Sequence, residues 1–305
     1  MNLKGKYVFS SNGEILSEGE NIITANGALM INRYLANSSV EWAGTLAIGA
    51  LGTTSASTDT KLGYEIYRTP ITLKSYISSG SVNQIAMKAT LDTNIVAKIY
   101  EVGVIPLSHI VGAYKDNFIL TPFSEQDPFG YWLNGTSEST ASTAIYNSAS
   151  SRVDKYNVSA SNTSVTVKTN FYQNLSAFNT NDFLQLLYAV TASGTSPSLT
   201  ITLLDSASNA WISQTIVLPT SSVGYYSASL AMPNSAASGF TYNLNKIILS
   251  LVGGTGTTEY DALKFMSGAT LPPELKLVSR KSSTTPIITK TAGQPVDIEY
   301  YLTVT

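Results

Sequence analysis

Apolar residues in this chain arrive in short runs cut apart by clusters of Ser, Thr, Gly, Asn and Pro, and that punctuation restricts the fold more than any other feature. Between Gln84 and Leu91, for example, Ile85, Met87, Ala89 and Leu91 alternate with Gln84, Lys88 and Thr90. Alternation of this kind places one face of a strand in a core and the other in water. The clearest helical periodicity lies at Ala28–Ala36, where Leu29, Ile31, Tyr34 and Leu35 share a broad face expected to pack on a sheet. With Val, Ile, Thr and Tyr plentiful, the chain reads as all-β.

Composition narrows the function. Only 12% of the 305 residues are charged, with hydroxyl, amide and glycine residues in their place, and the formal net charge is −2. No basic field is available to hold nucleic acid. The absence of cysteine excludes disulfides, thiolate zinc sites and a cysteine nucleophile. The opening MNLKGKYVFS lacks the cationic and apolar segments of a secretory signal. No stretch approaches the roughly 18–20 apolar residues of a membrane span.

The stretch from Gly44 to Ile71, GTLAIGALGTTSASTDTKLGYEIYRTPI, organises the first third. Leu46, Ala47 and Ile48 form a short strand broken by Gly49 and Gly52, which permit positive φ or close backbone approach. After a hydroxyl-rich loop, Asp59 is placed to accept N–H bonds at the start of a helical turn running toward Tyr67. On such a turn Glu65 and Arg68 share a face. They are either an exposed pair on an ordinary crossover or, if half buried, each other's partners.

This stretch resembles a segment recurring in tailed-bacteriophage virion proteins of tails, baseplates and neck fibres, roughly apolar-G-x-G-(S/T-rich)-D-T-x-L-x-x-E-x-x-R-x-(P)-I. The matching residues are Ile48, Gly49, Gly52, Asp59, Thr60, Leu62, Glu65, Arg68 and Ile71. Upstream, Asn21–Gly27 resembles N-x-I-T-x-x-G; downstream, Ile99-Tyr100-Glu101-Val102-Gly103-Val104-Ile105 resembles I-x-E-x-G followed by two apolar residues. The glycine pattern, Gly-Ala-Leu-Gly, is one residue longer than the commoner form. The closing segment Val296–Thr305, VDIEYYLTVT, with Ile298, Tyr300, Leu302 and Val304 on one face, is similar to the endings of the same proteins. The resemblance implies a virion part that assembles with itself, a trimer being one closed form, and with other virion proteins.

The tail is therefore expected to complete the first domain. The architecture expected is two β-sandwich domains: a discontinuous first sandwich with one packed helix (1–113 plus 269–305), and an inserted jelly roll (114–268). Strand candidates in the insertion are Tyr114–Thr121, Val165–Asn170, Asp182–Tyr188, Ser198–Leu204, Trp211–Leu218, Tyr225–Leu230, Lys246–Leu251 and Tyr260–Phe265. Leu199–Leu203 with Asp205, Leu244–Ile247 and Glu259–Leu263 resemble segments of carbohydrate-binding-module or galactose-binding-like jelly rolls.

Candidate chemistry is sparse. The single histidine, His109, has no Gly-x-Ser-x-Gly partner and reads as a linker or core-edge residue. Among Asp116, Glu125, Asp127, Asp154, Asp205, Glu259 and Asp261, no spacing singles out the two acids a glycosidase needs about 5–10 Å apart. Asp116 with Asn117, together with Asp261, offers part of a weak calcium site. Tyr131, Trp132 and Trp211 are either core residues or aromatic faces for a sugar ring. The expectation is a non-enzymatic chain without a cofactor, made in a host cytoplasm and used in a virion, with no nucleic acid partner and no membrane insertion. The alternative is a glycan-binding module for host recognition.

Overall fold

The computed structural model describes residues 3–38, 42–79, 82–93, 95, 97–106, 118–121, 137–140, 152–158, 163–168, 173–174, 183–190, 198–217, 225–231, 239–241, 243–252, 256–266 and 273–304. The chain divides into two compact units, Met1–Ala113 with Thr270–Thr305, and Tyr114–Ala269. The architecture is all-β with one α-helix among the described residues.

Unit 1 opens with β1 (Leu3–Ser11) and β2 (Glu14–Ile23). Asn12 and Gly13 join them at φ 50° and 84°, the left-handed pair that matches the twist of a two-residue hairpin. Helix α1 (Ala25–Leu35) follows, its first turn capped by Thr24, whose hydroxyl accepts from the Gly27 amide. Then come β3 (Thr45–Gly49), β4 (Glu65–Pro70), β5 (Leu73–Ser79), β6 (Val82–Leu91), β7 (Ala97–Ile99) and β8 (Glu101–Ile105). The helical turn expected before Tyr67 is absent, because Glu65–Pro70 instead pairs with β3 as a strand.

Unit 2 holds β9 (Phe118–Thr121), β10 (Ser137–Thr140), β11 (Arg152–Val158), β12 (Thr163–Lys168), β13 (Gln173–Asn174), β14 (Phe183–Val190), β15 (Ser198–Asp205), β16 (Ala210–Val217), β17 (Tyr225–Ala231), β18 (Asn243–Val252) and β19 (Gly256–Met266). They form two antiparallel sheets. One runs β10-β11-β19-β14-β17 with β9 on β19; the other runs β12-β18-β15-β16 with β13 on β18. Strands β10, β11 and β13 had no counterpart in the alternation pattern, while the other eight fall at or near the expected places.

The chain then returns to unit 1 through a 3-10 turn, Pro273–Leu275, and β20 (Ser279–Ser282), β21 (Ile288–Lys290) and β22 (Val296–Val304). Nine strands line up as β4-β3-β8-β20-β2-β1-β22-β6-β5, and β21 pairs with β7. The final strand lies between β1 and β6, paired along its length with both. Strands β4 and β5 are separated by only Ile71 and Thr72, yet stand at opposite ends of this order. The sheet must therefore curl until its ends approach. One bond marks the approach: the Thr69 hydroxyl on β4 donates to the Thr90 carbonyl on β6 at 2.9 Å.

The enclosed core is aromatic and aliphatic. Tyr7, Phe9, Leu46, Ile48, Val102, Val104, Ile298 and Tyr300 are fully buried. The Tyr7 and Tyr300 rings lie 4.7 Å apart, and Trp42 stacks on Tyr300 at 5.9 Å. The Tyr7 hydroxyl meets the Ser279 hydroxyl at 2.6 Å, satisfying a polar group that burial alone would penalise.

Helix α1 departs from its expected orientation. Met30 and Gly27 are buried, whereas Leu29, Tyr34 and Leu35 are 45%, 61% and 70% exposed. A Cβ on Gly27 would lie 2.2 Å from the Val278 carbonyl oxygen, so the glycine sets which side can approach the sheet. The Trp42 indole fixes the same side by donating to the Gly27 carbonyl at 2.9 Å.

Candidate functional site

The stretch that organises the sequence forms a loop locked around one buried ionic cluster. Glu101, at the start of β8, has no solvent exposure. One of its carboxylate oxygens accepts from the Tyr64 amide at 2.8 Å and the Leu51 amide at 3.3 Å. The other accepts from the Gly63 amide at 2.9 Å and from Arg280 at 2.7 and 3.2 Å. These donors compensate the desolvation of a buried carboxylate.

Arg280, on β20 opposite Gly103, completes the cluster. Its remaining nitrogen donates to Asp59 at 2.7 Å, and Nη2 also reaches the Thr53 hydroxyl at 2.7 Å. Burial by itself would lower the guanidinium pKa, but the Glu101 and Asp59 carboxylates beside it hold it above its ordinary value. Asp59 does not start a helix. It reaches back to accept from the Ala56 amide at 2.8 Å, shaping the loop that presents it to Arg280.

The other motif residues serve this arrangement. A Cβ on Gly49 would sit 2.5 Å from a Glu101 oxygen, and one on Gly52 would sit 2.2 Å from the Ser283 carbonyl oxygen. Leu62 packs with Ala47, Ile105 and Leu277 beneath the cluster, and Gly103 lies against Leu62 and Leu277. Glu65 and Arg68 are mutual partners, and the pair is largely buried, with side chains 6% and 21% exposed. They meet on a strand because of a bulge: Ile48 opposes Tyr67 but Gly49 opposes Glu65, leaving Ile66 extra. The extra residue turns Glu65 to the side that Arg68 occupies.

Of the motif residues, Gly49, Gly52, Asp59, Leu62, Glu101 and Gly103 come together around this cluster, with the Glu65–Arg68 pair on the adjoining strand. Arg280 and Thr53 are not among the motif residues. The signal for Arg280 was the acid itself: a glutamate in the apolar stretch Ile99–Ile105 demands a cation.

A second feature of unit 1 is an apolar groove of 620 Å³ between α1 and the β5–β6 end of the sheet. Its floor includes Met87, Ile85 and Leu302; its walls are Tyr34 and Leu35 from the helix and Tyr76 from β5. Tyr76 is 69% exposed and Ile85 40%.

The candidate sites in unit 2 fall largely beyond the described residues. Tyr131, Trp132, Asp116 and Asn117 lie outside them, as does His109 of unit 1. Trp211 is on β16 and Asp261 on β19. Strand β16 ends the order of its sheet. Among the described residues no three or more His, Cys, Asp or Glu side chains gather as a metal site. Asp205 is buried and accepts from the Ala207, Asn209 and Thr241 amides and the Asn209 side chain. Burial pushes its pKa up, but these N–H donors outweigh it and hold the carboxyl below its usual range. It bolts the β15–β16 hairpin to Thr241.

No family model matches the chain, and no curated protein matches it. Solved structures with partial likeness include an arabinose-bound α-L-arabinofuranosidase, at 13% identity and a TM-score of 0.38 over 56% of this chain and 29% of that one. A family 11 carbohydrate-binding module from Clostridium thermocellum, in complex with a β-1,3-1,4-mixed-linked tetrasaccharide, gives 12% identity and a TM-score of 0.30 over 51% and 98%. The enzymatically active domain of a bacteriophage CBA120 tailspike gives 12% and 0.31 over 49% and 21%. The chain spans less than a third of the arabinofuranosidase and of the tailspike domain.

Proposed function

We propose that this chain is a non-enzymatic structural component of a bacteriophage virion, of tail, neck or fibre type, assembling through unit 1 as a homo-oligomer and carrying unit 2 as a jelly roll. The observation that carries this reading is the use to which the motif carboxylates are put. Glu101 and Asp59 point into the protein and are engaged by backbone amides and Arg280. A catalytic acid or base needs a lone pair or proton facing a substrate; these hold a long loop against two strands. The motif by which the chain resembles virion proteins is therefore read as a scaffold, and the exposed apolar groove between α1 and the β5–β6 end of the sheet as surface for assembly.

The test is presence in particles. Antibody against the full chain is expected to label purified virions of the phage that encodes it, at a symmetric copy number. A chain found only in the soluble lysate and never in particles overturns the reading.

A second reading, glycan recognition by unit 2, is favoured by the position of Trp211 on β16, at the end of its sheet. On this reading the full chain binds a host surface polysaccharide, and Trp132→Ala or Trp211→Ala abolishes binding while leaving the circular dichroism spectrum unchanged. Binding that survives both substitutions overturns it.

A further inference from the structure

We infer that the β5 end of unit 1 is a two-fold interface with a second copy of this chain. Two independent features meet there. The first is an open sheet end. Strand β5 closes the nine-strand order, with β6 its paired neighbour among the described residues, and all seven of its residues are exposed. Such an edge is a template for another strand unless it is blunted by charge, proline or a bulge. Here β5 carries one charged residue, Lys74, and its register with β6 runs unbroken. By contrast β2, which meets β20 only through Ile22 and Ile23, carries Glu14, Glu18 and Glu20 along the rest of its length.

The second feature is apolar surface on three sides of that edge. Tyr76 (69% exposed) shares the inner face with Ile85, while Leu73 (55%) and Ile77 (39%) lie on the outer face. Tyr34 and Leu35 of α1 stand over the inner face across the groove.

One operation satisfies both. Adjacent antiparallel strands are related by a two-fold axis perpendicular to their sheet, which keeps the inner faces of both copies on the same side. Pairing β5 with its own copy therefore continues the sheet and brings the two α1 helices together above the seam. A foreign strand would complete the edge but leave Tyr34 and Leu35 uncovered. Centred on Tyr76, the pairing sets Lys74 opposite Ser78 of the second copy, so no like charges meet. The exposed parts of these apolar side chains sum to on the order of 600 Å² per copy, and the β5 backbone brings the patch near the roughly 800 Å² per partner of a standard interface. An interface of this kind is isologous and closed.

The inference deepens the assembly reading by naming the partner, and it fails separately from it. Sedimentation and light scattering on the full chain are expected to show a dimer, or an even multiple of one. The double substitution Leu35→Glu with Tyr76→Glu, at exposed positions, is expected to weaken self-association at least 100-fold, leave the circular dichroism spectrum unchanged, and remove the concentration dependence of the melting temperature. Because the chain has no cysteine, single substitutions Ser75→Cys, Tyr76→Cys and Ile77→Cys report register directly. At least one of them is expected to form a disulfide-linked dimer on mild oxidation, whereas Glu14→Cys, at a hairpin tip four strands along the sheet, does not. A wild-type chain that stays monomeric in sedimentation at every concentration reached, or a dimer that the double substitution leaves intact, overturns the interface whether or not the chain enters virions. Equal linking at Glu14 and on β5 overturns it too.

Discussion

At the scale of single residues, the cost of burying charge explains why so many separate parts of the sequence converge on Glu101. An unpaired buried carboxylate costs several kcal/mol, so the position is tenable only with donors on every side. Glu101→Gln is expected to lower stability by about 3–5 kcal/mol, because it leaves Arg280 short of a counter-charge in a buried site. Urea unfolding monitored by tryptophan fluorescence measures it. Arg280→Lys is expected to be nearly as damaging, since an ammonium cannot reach Glu101, Asp59 and Thr53 together. The core tyrosines give the second residue-scale prediction. Burial raises the pKa of Tyr7 and of Tyr300 above the ordinary value. Both are neutral in the folded state at pH values where an unfolded tyrosine has ionised. Their contribution is thus present in full below pH ~10 and declines as pH rises from there through the folded pKa values. Melting temperature measured from pH 8 to 12 is expected to fall at the alkaline end, and Tyr7→Phe to flatten that fall. The acids and glycines of this cluster were legible in the sequence only through the two motif segments that hold them, Gly44–Ile71 and Ile99–Ile105. Arg280 was not, because 179 residues separate it from Glu101 and no local period points across that gap.

At the scale of elements, strands were easier to read than the helix. Alternation marks a strand and its buried face together, and Ile298, Tyr300 and Leu302 of β22 are buried as that pattern requires. Helical periodicity in α1 marked the right element and the wrong face. The stripe of Leu29, Ile31, Tyr34 and Leu35 was read as core on hydrophobicity alone. What decided orientation was contact distance: Gly27 lets the helix sit close to Val278, and a side chain there would not, so Met30 rather than the broader stripe is buried. The helical turn expected before Tyr67 failed for a related reason. An i,i+3 ion pair is the mark of a helix turn, but a β-bulge at Ile66 makes the same pair on a strand. Thr24 joins the helix to the returning tail, accepting from the Gly27 amide and donating to the Leu277 carbonyl at 2.5 Å. Thr24→Val keeps the shape and removes both bonds, so a loss of about 1–2 kcal/mol is expected. Hydrogen exchange should show it first at the amides of the first turn of α1.

At the scale of the whole molecule, the tail matters because it supplies two strands inside the nine-strand order, β20 and β22, and the cation of its ionic cluster. The two segments of unit 1 leave and re-enter it side by side: Val104 of β8 opposes Ser279 of β20, and the Val278 amide donates to the Val104 carbonyl at 2.9 Å. Asn26 ties the re-entry point further by donating to the Pro273 carbonyl at 2.8 Å. A loop whose ends are held together by the host fold can be shortened without disturbing that fold, since closing a shorter loop costs less entropy. The aromatic core, the Glu101–Arg280 cluster and the curled sheet are all made of residues from Met1–Ala113 and Thr270–Thr305. A variant joining Ala113 to Thr270 through a short Gly-Ser linker is therefore expected to fold, to melt in a single cooperative transition, and to keep the alkaline destabilisation set by Tyr7 and Tyr300. The reverse deletion, ending the chain after Pro295, removes β22 from between β1 and β6 and is expected to leave unit 1 unfolded. Circular dichroism and calorimetry on the two variants separate the outcomes. An unfolded joined variant would show that unit 1 depends on unit 2 for its core, and a folded truncation would show that the closing strand is dispensable; either result contradicts the account of unit 1 as one core built from two distant segments.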